Sequence, residues 1–348
     1  MLRLLIPLLL LICCSSPPLV IHSIEADNKI VGRILWELKL PSQVSAPMTC
    51  YNGYLFAPLS GREIYVIDAV NGRRFTKIQV DFIPRSSLLH RGRYYISGIG
   101  AWNAVSGYSL QPRITRLFER SADPLGGFLA STSKGLLFAT NRGKLFLLNE
   151  LTGEIIAKRR FNDRPVGLVS HASLSFVLLQ NGSLYSFNLD STLTIMDSLK
   201  LTGPVEAPPV IDNSGTLFIA SWHGRVYAVD TTLSILWAEE TDSNIETAPA
   251  FDNSSLYILN SEGNLLVLGR RSGELIRAVE SNLFSFLSPV VCGAEIVILG
   301  YNGVIVSYGK NGEERLRLKL PGIPEVSSPF CGGRLYIATD KKKLYCID

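Results

Sequence analysis

The chain of 348 residues is 47% apolar and only 18% charged, and this charged share lies below the roughly 25% usual for soluble proteins. The composition excludes a disordered chain and a coiled coil, while the length fits either two ordinary domains or one large all-β ring. The net charge is only +4, from 34 basic and 30 acidic residues. Since no basic tail accompanies it, we expect no binding of nucleic acid.

The small net charge combines two regions of opposite sign. Residues 85–120 carry six arginines and one glutamate, whereas residues 188–262 carry eleven acidic and two basic residues. Such a bipolar distribution can orient a molecule against an acidic partner or a lipid surface, because charged surfaces steer encounters. The alternative is that both regions are ordinary solvated faces with counter-ions.

The first 23 residues have the order of an export signal. Arg3 is followed by an apolar run over residues 4–14 and then by Ser15-Ser16-Pro17-Pro18. A run of eleven apolar residues is short of the roughly 20 that a bilayer requires, so a permanent transmembrane anchor is the weaker interpretation. We therefore expect residues 1–23 to be a leader and the protein to be exported to the periplasm, the cell envelope or the exterior.

Residues 10–14 (LLICC) resemble a bacterial lipobox, in which the cysteine after the cleavage site is acylated and holds the protein at a membrane. Cys13 stands where the lipobox has a small residue. Lipidation of Cys14 and plain cleavage further along therefore both remain open.

The four cysteines that follow the leader and the four histidines of the chain are candidate metal ligands. Cys50, Cys292, Cys331 and Cys346 have neither zinc-site nor haem-site spacing, and we expect them to be small buried hydrophobic residues. No pair of histidines has the spacing of a metal ligand set. Walker, GxSxG and HExxH motifs do not occur either, so the sequence predicts no metal site and no catalytic residue.

A unit of about forty residues recurs along the chain. Clear copies occupy residues 216–230, 255–269 and 295–309. One reference position in each copy falls at residues 65, 146, 185, 227, 266, 306 and 345, with gaps of 81, 39, 42, 39, 40 and 39. The first gap equals two periods, and a degenerate copy around residues 93–105 fills it. The chain therefore contains eight repeats.

Each repeat predicts a four-stranded antiparallel sheet. A short first strand follows a proline such as Pro208, and two aliphatic and aromatic runs then form a hairpin around a turn such as residues 222–224. A fourth run led by glycine follows, as in residues 153–158. Four-stranded sheets at this period are typical of a β-propeller. We therefore predict one all-β, eight-bladed β-propeller over residues 24–348.

The two ends of the repeat region are predicted to share one blade. The last repeat stops after its third strand, while residues 34–40 have the pattern of a fourth strand without a blade. We expect residues 34–40 to pair antiparallel beside residues 343–348. Such pairing closes the ring without a covalent link and removes two exposed strand edges.

The repeats resemble those of the PQQ-like propellers, named for pyrroloquinoline quinone. The best matches are residues 143–154 (GKLFLLNELTGE), residues 224–230 and residues 32–36. In this family a tryptophan on the fourth strand packs between neighbouring blades. Trp36 and Trp237 correspond to it, whereas Thr, Ala, Arg and Leu stand at positions 76, 157, 277 and 316. The resemblance covers about residues 30–348 and implies architecture more than chemistry.

The family contains both enzymes and binding scaffolds. Its dehydrogenases hold PQQ and calcium and use a vicinal cysteine pair, but the only adjacent cysteines here, Cys13 and Cys14, lie in the leader. The resemblance is closest in plan to a propeller lipoprotein of outer-membrane β-barrel assembly, which has no cofactor. We therefore predict a monomeric, non-catalytic scaffold without a cofactor, whose partners are other envelope or secreted proteins. A PQQ-dependent dehydrogenase, or a degenerate relative of one, is the alternative, and ligand sensing in the central channel is a third possibility.

Turns between the second and third strands of all blades face one side of a propeller. Trp222, His223, Tyr301, Asn302 and Arg142 lie in such turns, and we take them as candidates for a protein-binding surface. Exposed aromatic residues near arginine are typical of such surfaces. The alternative is that each aromatic ring only covers its own turn.

Overall fold

The computed structural model describes residues 32–100, 104–121 and 127–348, and every regular element in these ranges is a β-strand. The strands form eight four-stranded antiparallel sheets that follow one another in chain order. The predicted eight-bladed propeller is therefore confirmed. The predicted leader and Cys14 lie outside the described residues. Within the described ranges no helix is long and apolar enough to cross a membrane.

Blades 1 to 4 contain sixteen strands. Blade 1 contains β2 (Thr49–Tyr51), β3 (Tyr54–Leu59), β4 (Glu63–Asp68) and β5 (Arg74–Gln79); blade 2 contains β6 (Ile83–His90), β7 (Arg93–Ile99), β8 (Ala104–Ser109) and β9 (Thr115–Ser121); blade 3 contains β10 (Gly127–Ser131), β11 (Leu136–Thr140), β12 (Lys144–Leu148) and β13 (Ile155–Arg160); blade 4 contains β14 (Pro165–His171), β15 (Leu174–Leu179), β16 (Ser183–Asn188) and β17 (Ile195–Lys200).

Blades 5 to 8 contain the other sixteen. Blade 5 contains β18 (Val210–Ile211), β19 (Leu217–Ala220), β20 (Arg225–Val229) and β21 (Ile235–Glu240); blade 6 contains β22 (Ala250–Phe251), β23 (Ser255–Leu259), β24 (Asn264–Gly269) and β25 (Leu275–Glu280); blade 7 contains β26 (Val290–Cys292), β27 (Glu295–Leu299), β28 (Val304–Gly309) and β29 (Glu314–Lys319); blade 8 contains β30 (Phe330–Cys331), β31 (Arg334–Thr339), β32 (Lys343–Ile347) and β1 (Ile34–Lys39).

The middle strands of the blades are buried on both faces, because each blade lies between two others. All residues of β3, β23 and β27 are buried, whereas the fourth strands β21 and β29 alternate between exposed and half-buried residues. A strand covered on both sides requires a continuous apolar run. This arrangement explains the low charged fraction of the sequence.

The repeated glycine of the second turn has a steric cause. Gly303 has a φ of 79°, and a Cβ atom at this position would lie only 2.2 Å from the carbonyl oxygen of Gly322. Only glycine fits such a positive φ together with such a close backbone approach. Glycine has this positive φ in blades 3 to 7, whereas Arg62 and Lys342 adopt it in blades 1 and 8, so the recurring glycine in the sequence follows from a recurring turn geometry.

The predicted closure of the ring is confirmed. Strand β1 pairs antiparallel with β32, with Glu37 opposite Tyr345 and Lys39 opposite Lys343. The Arg33 guanidinium also lies 2.6 Å from the Asp348 carboxylate. The N-terminal strand therefore supplies the fourth strand of the last blade.

The expectation that the closure has no covalent link is wrong. Cys50 of β2 and Cys331 of β30 form a disulfide between blades 1 and 8, with Cα atoms 6.7 Å apart. The two cysteines are 281 residues apart in sequence and become neighbours only because the ring closes. The other two, Cys292 and Cys346, are buried free thiols, as expected.

The fourth strand of one blade packs against a glycine of the next blade. Trp36 lies against Gly72, and Trp237 lies against Gly273 in the same way. The Trp36 indole also donates a hydrogen bond of 3.2 Å to the Ala69 carbonyl. Other side chains occupy this position elsewhere in the described chain: Phe118 against Gly153, Arg277 against Gly312 and Leu316 against Gly32. The sequence comparison did not identify Phe118 as an aromatic member of this set.

Candidate protein-docking face

One face of the ring is formed by the turns between second and third strands together with the connections between blades, and we call it the loop face. A recurring backbone hydrogen bond joins the two sets. The amide of Trp222 donates to Pro204 at 2.9 Å, and the amide of Tyr301 donates to Phe284 at 2.7 Å. Because the same bond recurs, it identifies equivalent positions in different blades.

The structure places all five predicted interaction residues on the loop face but does not gather them into one cluster. Arg142 belongs to blade 3, Trp222 and His223 to blade 5, and Tyr301 and Asn302 to blade 7. Trp222 is half-buried, while the other four are exposed. The predicted surface is therefore divided among three alternate blades.

Tyr301 belongs to an exposed aromatic cluster that the sequence interpretation missed. Its partners are Phe284 and Phe286, which lie in the connection between blades 6 and 7. The ring centroids of the two phenylalanines are 4.6 Å apart, and they lie 6.3 and 5.5 Å from the Tyr301 ring, all in edge-to-face arrangement. Phe284, Phe286 and Tyr301 are 45%, 56% and 52% exposed, respectively. We call these three residues the aromatic cluster.

A weak signal for the cluster was present in the sequence. The hydrogen-bonded turns align Phe286 with Glu206, Glu246 and Glu325 of other connections. An aromatic residue at a position that is acidic in three other repeats is a local departure from the pattern. The connections are less regular than the strands and their turns, so this departure does not stand out in the sequence.

The aromatic cluster borders a groove of about 420 Å³ between blades 7 and 8. The apolar part of its wall is formed by Leu287, Leu299 and Ile323. Glu325 and Asp340 form its acidic part. Two carboxylates beside exposed aromatic rings give the groove both apolar and anionic character.

The two carboxylates of the groove are in different states. Asp340 accepts a hydrogen bond of 2.8 Å from the Ile323 amide and lies 3.2 Å from the Lys341 ammonium. The Oε2 atom of Glu325 is buried and has no hydrogen-bond partner among the described residues. Burial raises the pKa of Glu325, and the nearby charge of Asp340 raises it further.

The described residues do not fit the quinone site of the dehydrogenases in this family. No three His, Cys, Asp or Glu side chains within them lie close enough to hold a metal ion. The disulfide between Cys50 and Cys331 joins two blades rather than two adjacent residues. The calcium ligands and the vicinal cysteine pair of those enzymes therefore have no counterpart in the described part of the chain.

Part of the chain matches the profile of a known protein family. Residues 174–279 match the profile of the PQQ_2 family, which is described as outer membrane protein assembly factor BamB. These residues run from the second strand of blade 4 into the fourth strand of blade 6. No curated protein matches the sequence.

Two solved structures illustrate the similarity in fold. BamB from Moraxella catarrhalis has a TM-score of 0.75 at 12% identity, covering 91% of this chain and 100% of that one. The computationally designed Ika8 protein has a TM-score of 0.78 at 12% identity, covering 91% and 99%. At such low identity these similarities show the fold alone. They show an eight-bladed β-propeller, and the profile match shows repeats similar to the PQQ-like ones over residues 174–279.

Proposed function

We propose that this protein is an exported, non-catalytic scaffold that binds a protein partner through its loop face during assembly of the cell envelope. The observation that carries the proposal is the aromatic cluster. Its three members are the only aromatic residues among the exposed large hydrophobic side chains of the described chain. Contiguous exposed aromatic patches mark protein-binding sites, where such residues supply much of the binding energy.

Two further observations support the location and the kind of role. The Cys50–Cys331 disulfide fits an oxidising compartment outside the cytoplasm, because such bonds rarely persist inside it. The family profile is that of an outer membrane assembly factor. The proposal includes export through the leader, cleavage between Cys13 and Cys14, and attachment to a membrane through an acylated Cys14.

Crosslinking followed by mass spectrometry in the native host tests the proposal. We expect the affinity of the double variant Phe286→Ala, Tyr301→Ala for its envelope partner to fall by about 30-fold or more, since truncating two anchor residues costs at least about 2 kcal/mol. The crosslink to that partner should be lost accordingly. The matched control is Leu275→Ala, Ile276→Ala on β25, because each of these two side chains is 52% exposed but lies away from the loop face.

Equal crosslinking by the wild type and the aromatic variant would contradict the proposal. PQQ-dependent dye reduction by the purified protein would instead favour the dehydrogenase alternative. The intact mass of the mature protein tests the anchor separately, because a diacylated N-terminus at Cys14 supports it and an unmodified one contradicts it.

A further inference from the structure

Glu206 and Glu325 occupy the same position in two different connections. The amide of Trp222 donates to Pro204, and the amide of Asp340 donates to Ile323. Each glutamate follows its hydrogen-bonded residue by two positions. The two carboxylates therefore enter the loop face at equivalent points, between blades 4 and 5 and between blades 7 and 8.

The carboxylate of Glu206 is held by two side chains of its own chain. Gln180 donates a hydrogen bond of 2.6 Å to Glu206 Oε1. The Arg164 guanidinium lies 3.4 Å from Glu206 Oε2. One amide and one cation thus satisfy this carboxylate between blades 4 and 5.

At the groove, both of these partners are replaced by aromatic residues. The amide of Gln180 donates to Arg164 just as the amide of Tyr301 donates to Phe284. Phe284 therefore stands at the position of Arg164, and Tyr301 stands at the position of Gln180. Glu325 therefore has neither the arginine nor the glutamine side chain that Glu206 contacts, which explains its unpartnered Oε2 atom.

Two lysines near the groove have partners other than Glu325. Lys341 pairs with Asp340 at 3.2 Å, and the Lys319 ammonium donates to the carbonyl of Asn302. A buried carboxylate oxygen without a partner is unfavourable, and a cation supplied from outside would satisfy it. The unpartnered Oε2 atom of Glu325 therefore matches a positively charged group of a ligand.

We propose that the groove between blades 7 and 8 binds an extended protein segment in which a lysine or arginine lies close to an aromatic or large aliphatic residue. The apolar side chain packs against Phe286 and Tyr301, and the cation pairs with the unpartnered Oε2 atom of Glu325. This inference rests on the proposed function and specifies the chemistry of the partner. The groove volume of about 420 Å³ admits side chains rather than a folded domain.

A peptide-binding experiment tests the inference. The probes are fluorescent peptides with one phenylalanine and one lysine at spacings of one to three residues in a Gly/Ser background, and matched peptides with norleucine in place of lysine. Anisotropy titrations are run with the wild type, Glu325→Gln, Phe286→Ala and the control Glu246→Gln. The control changes the equivalent glutamate between blades 5 and 6.

We expect the best lysine peptide to bind the wild type roughly tenfold more tightly than its norleucine partner, as a charge-assisted contact would give. In Glu325→Gln this preference should fall below about threefold, while Glu246→Gln keeps it. Phe286→Ala should weaken both peptides. Thermal unfolding of each variant establishes that it is folded.

The outcomes separate this inference from the proposed function. A lysine preference that survives Glu325→Gln, or an absent preference with binding still lost in Phe286→Ala, overturns the cationic partner and leaves the docking site in place. The inference also fails if no peptide of the set binds while the envelope partner is still crosslinked through the aromatic cluster. Absence of both peptide binding and crosslinking in the wild type overturns both proposals.

Discussion

Blade 8 meets blade 1 along one seam and blade 7 along another, and different side chains fill the two seams. Towards blade 1, Trp36 packs on Gly72 and donates to the Ala69 carbonyl, and the Tyr336 hydroxyl donates to the same carbonyl at 3.1 Å. The disulfide crosses this seam as well. Towards blade 7, a leucine replaces the tryptophan, and the groove at Glu325 lies open.

The two seams combine one backbone arrangement with different side chains. Blades 1, 7 and 8 have the same four-stranded antiparallel order, so the two seams differ mainly in their side chains. The seam with blade 1 contains the crosslink and the hydrogen-bonded tryptophan, which stabilise the ring. The seam with blade 7 contains the unpartnered Oε2 atom of Glu325 beside exposed aromatic rings, and this combination suits binding.

Removal of the disulfide should have the largest effect on stability, and it should affect only the seam between blades 8 and 1. We expect Cys50→Ser, Cys331→Ser to lower the free energy of unfolding by about 2–4 kcal/mol, because the crosslink restricts a very long loop of the unfolded chain. Urea unfolding of the oxidised wild type, the reduced wild type and the variant measures the change.

The control is peptide binding at the groove, which should be unchanged in the double serine variant. Reductant should also leave the unfolding midpoint of this variant where it is. An unchanged midpoint for the wild type on reduction would show that the crosslink does not stabilise the closure.

Truncation of the side chain that fills each seam should have a smaller effect. We expect Trp36→Ala to cost about 2–3 kcal/mol and Leu316→Ala about 1–2 kcal/mol of unfolding free energy, because the half-buried tryptophan loses a larger apolar surface and a hydrogen bond. Chemical unfolding of both variants measures the difference.

Trp36→Phe sharpens this test, because it keeps an aromatic ring against Gly72 and removes the bond to Ala69. It should recover most of the loss seen in Trp36→Ala. Equal costs for Trp36→Ala and Leu316→Ala would remove the distinction between the seams.

Neutralising the two equivalent glutamates should give the smallest effects, and with opposite signs. Glu206→Gln should lower stability at pH 7 by roughly 0.5–1 kcal/mol, because it weakens contacts with Arg164 and Gln180 that solvent partly screens. Glu325→Gln should raise the melting temperature slightly at pH 7, because burial raises the pKa of Glu325 and so disfavours its charged form in the fold.

The pH dependence follows from the direction of that shift. A carboxyl group whose folded pKa is raised costs nothing while it is protonated in both states, below its ordinary value of 4.5. The cost develops as the pH rises through the raised folded pKa. The gain from Glu325→Gln should therefore be present at pH 7 and absent at pH 4. A loss of stability at pH 7 would show that Glu325 has an internal partner.

The ring itself could be predicted from the sequence because its causes are local and repeated. The glycine in the second turns of blades 3 to 7 is required by backbone geometry, as Gly303 shows, and the apolar runs of β23 and β27 follow from burial on both faces. The unpaired strand pattern of residues 34–40 was enough to predict the closure. These features recur with the period, so a single sequence displays them several times.

The disulfide and the aromatic cluster could not be predicted in the same way, because each depends on contacts that occur once. Cys50 and Cys331 lie in the first and last repeats and meet only after the ring closes. Phe286 becomes part of a surface only when Tyr301, from the next turn, lies beside it. A repeat pattern averages over such differences, and three-dimensional proximity is needed to interpret them.

The shared last blade has a consequence for the time course of biosynthesis. Strand β1 is made early, but its partner β32 lies at residues 343–347. At about 5–20 residues per second, the ribosome needs roughly 15–60 s to make the intervening chain. During this time β1 has a free edge that can pair with a wrong strand. Closure of the ring therefore has to wait until the last strand of the chain has been made.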